Sequence, residues 1–347
     1  MSSTTGFASA VVEAADAFDA NELYQKNGWT DGLPIVPPTE EAVARFLAAA
    51  KLSAADVIGV EPVRHRSISA EKVAIAAVMA GCLPEYLPVV VACFRAMCQP
   101  QYALHGSTAS TGGSAPFIVV NGPIRRALGM NATHNVLGNG ARANATIGRA
   151  VRLVMLNVLG GIPGQLDRST LGHPAKFTFC VAEDEEDAGW PPLSVERGIP
   201  AGTSAVTVMQ VESPHQVMNE WTTDPREILD TYVAAIRGNM LTYSIWEGNY
   251  AFVIPKQHRE IFHAAGWAKR QIREYVFETA RVKRSEWRTV GKAAVAGRKD
   301  EDKEYRALRS PDDLLVVAAG GPAGGFGAII PPWYGKKSLA VTVAIDA

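Results

Sequence analysis

The chain has 347 residues, 47% of them hydrophobic and 20% charged, and its 34 lysines and arginines face 35 aspartates and glutamates for a formal net charge of −1. No global field draws a polyanion or an anionic membrane, so neither nucleic acid nor a membrane surface is expected as a partner, and the composition is that of a folded chain rather than a disordered one. At this length one large domain or two intimately joined lobes is expected, with 31 glycines and 21 prolines marking many tight turns.

The N-terminal stretch, Met1 to Asn21, lacks the basic start and apolar run of a secretory signal, so a cytoplasmic location is expected. Helical spacing runs from Phe7 to Lys26, and the following Trp29-Thr30-Asp31-Gly32-Leu33-Pro34-Ile35-Val36-Pro37-Pro38 must be extended, because proline biases its predecessor away from the α region. Thr39 caps a helix with Glu40 and Glu41 in its first turn, and a second helix runs from Ser69 to Gly81. Val73 to Phe94 is long enough to span a bilayer, but Pro84, Glu85 and Pro88 interrupt it, so it is assigned to the core. After the break at Cys82 to Pro88 comes an apolar helix to Met97.

The segment His105 to Ser114 is rich in hydroxyls and glycines and feeds a strand at Pro116 to Val120. A glycine-rich turn, Gly138 to Asn144, leads into an amphipathic helix from Ala145 to Leu159, and Phe177 to Ala182 is a short strand. Beyond Arg197 the expected order is a strand at Ala205 to Val211, a helix begun by Asp224-Pro225 and ended at Gly238, and a strand at Tyr250 to Ile254. Helices at Gln257 to Ala265 and Ala268 to Ala280 follow, then strands at Leu314 to Ala319 and Ser338 to Ile345. No internal repeat is apparent. The alternation predicts an α/β or α+β fold of layered mixed sheets with packed helices, divided into lobes at residues 1–195 and 196–347.

Three places carry chemistry. Cys82 follows a helix end and is a candidate nucleophile, against the reading of a small buried hydrophobe. Cys93, Cys98 and Cys180 lie in apolar runs, and with no CxxC in the chain all four cysteines are expected as reduced thiols. In the hydroxyl-rich loop, Ser107 and Ser110 are candidate substrate ligands and His105 a general base. At the third, Arg142, Asn144, Thr146 and Arg149 surround a helix start suited to a carboxylate or phosphate, or to plain capping. Glu183, just past a strand, is expected to orient His105 or act as an acid. The glycines from Gly320 to Gly327 follow a strand as a nucleotide loop does, but no lysine-serine pair accompanies them. Histidine spacing supports no metal: His258 and His263, five apart, point away from each other on a helix. The residues require no cofactor.

The runs Asp31-Gly32-Leu33-Pro34-Ile35-Val36-Pro37-Pro38-Thr39-Glu40-Glu41, Ala80-Gly81-Cys82-Leu83-Pro84-Glu85-Tyr86 and Ala145-Thr146-Ile147-Gly148-Arg149 resemble a poorly characterised bacterial family associated with short thiol or selenol partners of the UGSC-motif type. The resemblance covers most of the chain in pattern, transfers no catalytic residue, and meets no Cys-Gly-Ser-Cys motif here. It implies multi-component thiol chemistry: a lyase, hydrolase or reductive cleavage acting on a small organic compound, with the thiol the chain's own or supplied in trans. The expected function is an enzyme for a small polar or anionic molecule, the alternative a partner-dependent subunit, and a homo-oligomer is expected in either case. The central expectation is that Ser107 and Asn144 fold toward one cavity.

Overall fold

The computed structural model describes residues 6–243, 247–297 and 300–346. Helix α1 (Ala17–Lys26) starts at Asp16, whose side chain accepts from the Asp19 N–H. Residues 7–16, expected as helix, run without regular structure, because the N–H groups of Ala8 and Ser9 donate to the Glu71 carboxylate at 3.0 and 2.8 Å instead of to a helical turn. Thr39 caps α2 (Glu40–Ala49), and Ser69 opens α3 (Ala70–Ala80), which closes on Gly81 at φ +86°, a left-handed conformation that favours glycine. Helix α4 (Leu87–Met97) has Pro88 in its first turn, where a missing N–H costs nothing. Helix α5 (Arg142–Asn157) follows, and α6 (Pro225–Thr242) is capped by Asp224 but passes through Gly238. Helices α7 (Lys256–Ala264) and α8 (Lys269–Thr279) complete the set of long helices. No described helix is long and apolar enough to cross a membrane.

The strands are β1 (Ala115–Asn121), β2 (Cys180–Ala182), β3 (Ala205–Val211), β4 (His215–Met218), β5 (Tyr250–Ile254), β6 (Leu314–Ala318), β7 (Phe326–Ile330) and β8 (Val341–Ala344). Two mixed four-stranded sheets result, ordered β8-β3-β1-β2 and β6-β5-β7-β4. Two further two-stranded antiparallel pairs, 57–60 with 67–69 and 281–283 with 304–306, lie outside them.

Side-chain alternation sets the layering. Along β1, Ile118 and Val120 pack into the core shared with α2 to α5, while Phe117 and Val119 pack between the sheets. Along β5, Ala251 and Val253 meet the inter-sheet core, while Tyr250, Phe252 and Ile254 face α6 to α8. The molecule is therefore a helix–sheet–sheet–helix sandwich, and its central strands read as unbroken apolar runs because both their faces are buried.

A repeat absent from the sequence appears in the pairing. In the first sheet β1 is parallel to β2 and antiparallel to β3, which is antiparallel to β8. In the second, β5 is parallel to β6 and antiparallel to β7, which is antiparallel to β4. The fourth strand of each is exchanged: β4 follows β3 in the chain yet joins the second sheet, and β8 follows β7 yet joins the first. The crossing segments pair at Val211 and Pro332, where the Glu212 N–H donates to Pro331 O and the Trp333 N–H donates to Gln210 O. The lobe boundary at 195/196 is thus crossed, since β3 and β8 both belong to the sheet of β1 and β2.

Candidate acid-base site

The end of β1 where it begins, and the end of β3 where it leaves its sheet, lie together beside the strand exchange. Here the loop before β1 is fixed by a buried chain of hydrogen bonds: Tyr102 Oη donates to Gln210 Oε1 at 2.5 Å, Gln210 Nε2 to Ser114 Oγ at 3.1 Å, and Ser114 Oγ to Ser107 O at 2.9 Å. From across the loop, Thr170 N–H donates to Thr111 O at 2.9 Å and Ser169 Oγ to Gly112 O at 3.3 Å.

Held this way, Ser110 Oγ accepts from Trp333 Nε1 at 2.7 Å and from the Gly112 N–H at 3.0 Å, so its own O–H remains to be directed at a guest. Glu212, the first residue past β3, is 9% exposed and accepts from Tyr243 Oη at 2.5 Å. A Cβ on Gly112 would lie 2.6 Å from Tyr243 Oη, 3.5 Å from Ser110 Oγ and 3.7 Å from Glu212 Oε1, so the bare face of this glycine is where three oxygen groups converge. The Tyr243 ring is 45% exposed, which leaves the group open to solvent.

Burial pushes the Glu212 carboxyl up to about 7, against the smaller opposing pulls of the Tyr243 hydrogen bond and the Lys176 charge. Tyr243 is pushed up as well, by burial first and then by its carboxylate neighbour. Burial draws Lys176 down, although Nζ donates to Asp167 Oδ2 and Ser169 Oγ, both at 2.7 Å. Burial works against the Asp167 charge too, yet Lys176, Ser169 and Arg152 together hold it well below the usual carboxylate range. His173, at about 4 through burial and the Lys176 charge, is neutral at physiological pH.

The other expected site residues lie elsewhere. Ser107 and Asn144 do not share a cavity: Thr108 touches Gly161 beyond the C-terminal end of α5, whereas Asn144 is in its first turn, bonded to Asn131, about 20 Å away along the helix. Ser107 Oγ is spent on Leu104 O. Glu183 is at the far end of β1 from His105 and orients no imidazole. It is fully buried, paired with Lys269 at 2.8 Å, and bonded by Asn121 and the N–H groups of Leu193 and Ala318. His105 instead lies in the electrostatic reach of Glu61, and its Nδ1 is buried with no hydrogen-bond partner among the described residues.

Cys82 does meet the start of α5, but burial pushes its thiol up to about 12 despite Thr146, Arg142 and Arg149 nearby. Those groups are occupied: Arg142 Nε donates to Gly81 O at 3.0 Å, Thr146 Oγ1 to Arg142 O at 2.8 Å, and Arg149 grips Asp31 with two bonds of 2.8 Å. The three segments that carried the family resemblance therefore form one contiguous patch, with Val36 N–H donating to Met79 O as a further tie. Among the described residues no group of three or more His, Cys, Asp or Glu is placed to hold a metal ion. No protein-family model, curated protein or solved structure matches the chain.

Glu212, Tyr243, Lys176 and Trp333 escape sequence reading. Only Glu212 carries a local signal, as an acid set directly after the fully buried strand β3.

Proposed function

We propose that the chain is an acid-base enzyme, of lyase or hydrolase type, acting on a small polar or anionic organic molecule that docks at the solvent-open edge of the Ser110, Glu212 and Tyr243 group. The observation that carries this reading is the Glu212–Tyr243 pair facing Ser110: a carboxyl poised near neutral pH takes and returns a proton with little driving-force penalty. In this mechanism Glu212 is the proton acceptor, Tyr243 steadies the resulting charge distribution through its hydroxyl, and Ser110 binds the substrate through its O–H. Arg152 and Lys176 outweigh Asp167 by one positive charge, so the neighbourhood is neutral with Glu212 ionised and positive once it is protonated, which favours an anionic group on the substrate.

A screen of small hydroxy acids, esters and amides with the wild type, Glu212→Gln, Ser110→Ala and Cys82→Ser in parallel tests this. Turnover is expected to fall at least a hundredfold in Glu212→Gln, the scale of general-base catalysis, and to persist in Cys82→Ser. Turnover kept in Glu212→Gln contradicts the assignment.

A second reading, a subunit working with a small thiol or selenol protein, is favoured by the state of the chain's own sulfurs. Burial raises all four thiols, so thiol-dependent cleavage here draws its nucleophile from a partner. That reading predicts activity only when an external thiol is added.

A further inference from the structure

Apart from the Glu212 group, a cavity of about 490 Å³ opens on the inner face of the second sheet, lined by Val253, Ala319 and Ala328, with Gln216 and Phe326 at its side and His134 on the roofing loop. Its volume is that of a small-molecule site, and it sits past the carboxyl ends of the parallel strands β5 and β6, where ligands of open α/β sheets gather. None of the residues lining it is Asp, Glu, Lys or Arg. The Gln216 amide and the His134 imidazole, both exposed at the mouth of the cavity, make no hydrogen bond to another described residue, and Phe326 is 47% exposed beside them.

The strand exchange supplies an independent observation. Gln216 pairs with Ala328 in the second sheet as Thr342 pairs with Thr207 in the first, and Ala328 and Thr207 in turn pair with Val253 and Val119. These are corresponding positions of the two repeats. In the first repeat the place is filled from within: the guanidinium of Arg197 donates to Thr342 Oγ1 at 2.6 Å and to Ala340 O at 2.7 Å, next to the Thr207–Thr342 hydroxyl contact. A planar group with hydrogen-bonding edges thus occupies one copy of the position, and the other copy is open.

We propose that the open copy binds an uncharged planar heteroaromatic ring, its edge read by Gln216 and His134 and its face covered by Phe326. The absence of charge in the lining sets this ligand apart from the anionic substrate assigned to the Glu212 site, and the proposal does not depend on that assignment. Calorimetric titration of the full chain with nicotinamide, uracil and adenosine, with adenosine monophosphate as the charged comparison, tests it. At least one ring is expected to saturate a single site with Kd below about 1 mM. Phe326→Ala and Gln216→Leu, both at exposed positions, are each expected to weaken binding about tenfold or more with the circular dichroism unchanged, while Glu212→Gln leaves it intact. The monophosphate is expected to bind no tighter than adenosine. No saturable binding by any of the three rings, an unchanged affinity in either variant, or tighter binding of the monophosphate would overturn the proposal.

Discussion

Glu212 is the residue on which the most chemistry turns, and its protonation has a consequence for stability that needs no substrate. Its folded-state value of about 7 lies above the ordinary glutamate value of about 4.3, so the native chain holds a proton that the unfolded chain releases. That contribution is fully present below about pH 4 and is lost as pH rises through about 7. Glu212→Gln removes the titration, so the variant is expected to gain thermal stability relative to wild type at pH 8 and to lose that gain at pH 5; an equal difference at both pH values would contradict the burial argument. Cys82 gives a second expectation at this scale. With its thiol pushed to about 12, it should resist a disulfide reagent at pH 8 in the native protein and react once denatured. The hydroxyl-rich segment was legible as a loop only from residue 109 to 114, because Leu104–Thr108, which carries His105 and Ser107, forms a short helix in which the Ser107 and Thr108 hydroxyls bond back to Leu104 O. Its partners were not, since a glutamate after a strand, a tyrosine at a helix end and a tryptophan after two prolines meet only through tertiary packing.

Among elements, those defined by local chemistry were read within a few residues. Thr39, Ser69 and Asp224 each cap the helix expected of them, with the side-chain oxygen accepting a backbone N–H of the first turn. Asp224→Ala is expected to cost about 1 kcal/mol in urea unfolding. Strands defined by their neighbours were harder: β4 is an edge strand with one buried residue, and β7 carries Gly327 because a Cβ there would strike Tyr232 Oη. β4 lacks the β-branched run that marked β1 and β6, and in β7 only Ile329 and Ile330 supply one, behind the glycine. The Glu183–Lys269 pair fastens α8 to the ends of the sheets, and here removal of one partner is the informative change. Lys269→Met leaves a buried carboxylate unpaired and is expected to destabilise by about 3–5 kcal/mol. Adding Glu183→Leu should recover much of that loss, whereas additive losses would mean that the pair is not coupled.

At the scale of the whole molecule, the exchanged strands make two halves that cannot close their sheets alone. A fragment of residues 1–195 lacks β3 and β8 and leaves the whole length of β1 unpaired on one side. It is expected to be unfolded or aggregated by size-exclusion chromatography and circular dichroism, and to regain structure only when co-expressed with 196–347; a folded monomeric fragment would contradict the architecture. The repeat left no trace in the sequence because what corresponding positions share is buried apolar residues, such as Val119 and Val253, while their polar positions differ: Glu212 answers to Trp333 across the exchange, and Thr207 to Ala328. That same pairing brings Glu212 and Trp333 to the two sides of the Ser110 loop, so the candidate site is a product of the exchange and not of either half. The carboxyl at its centre can be watched directly, by titrating the carbon-labelled glutamate side chains of the native protein by NMR. One resonance, absent from Glu212→Gln, is predicted to titrate near pH 7, and a spectrum in which every glutamate titrates below about pH 5 would contradict the account.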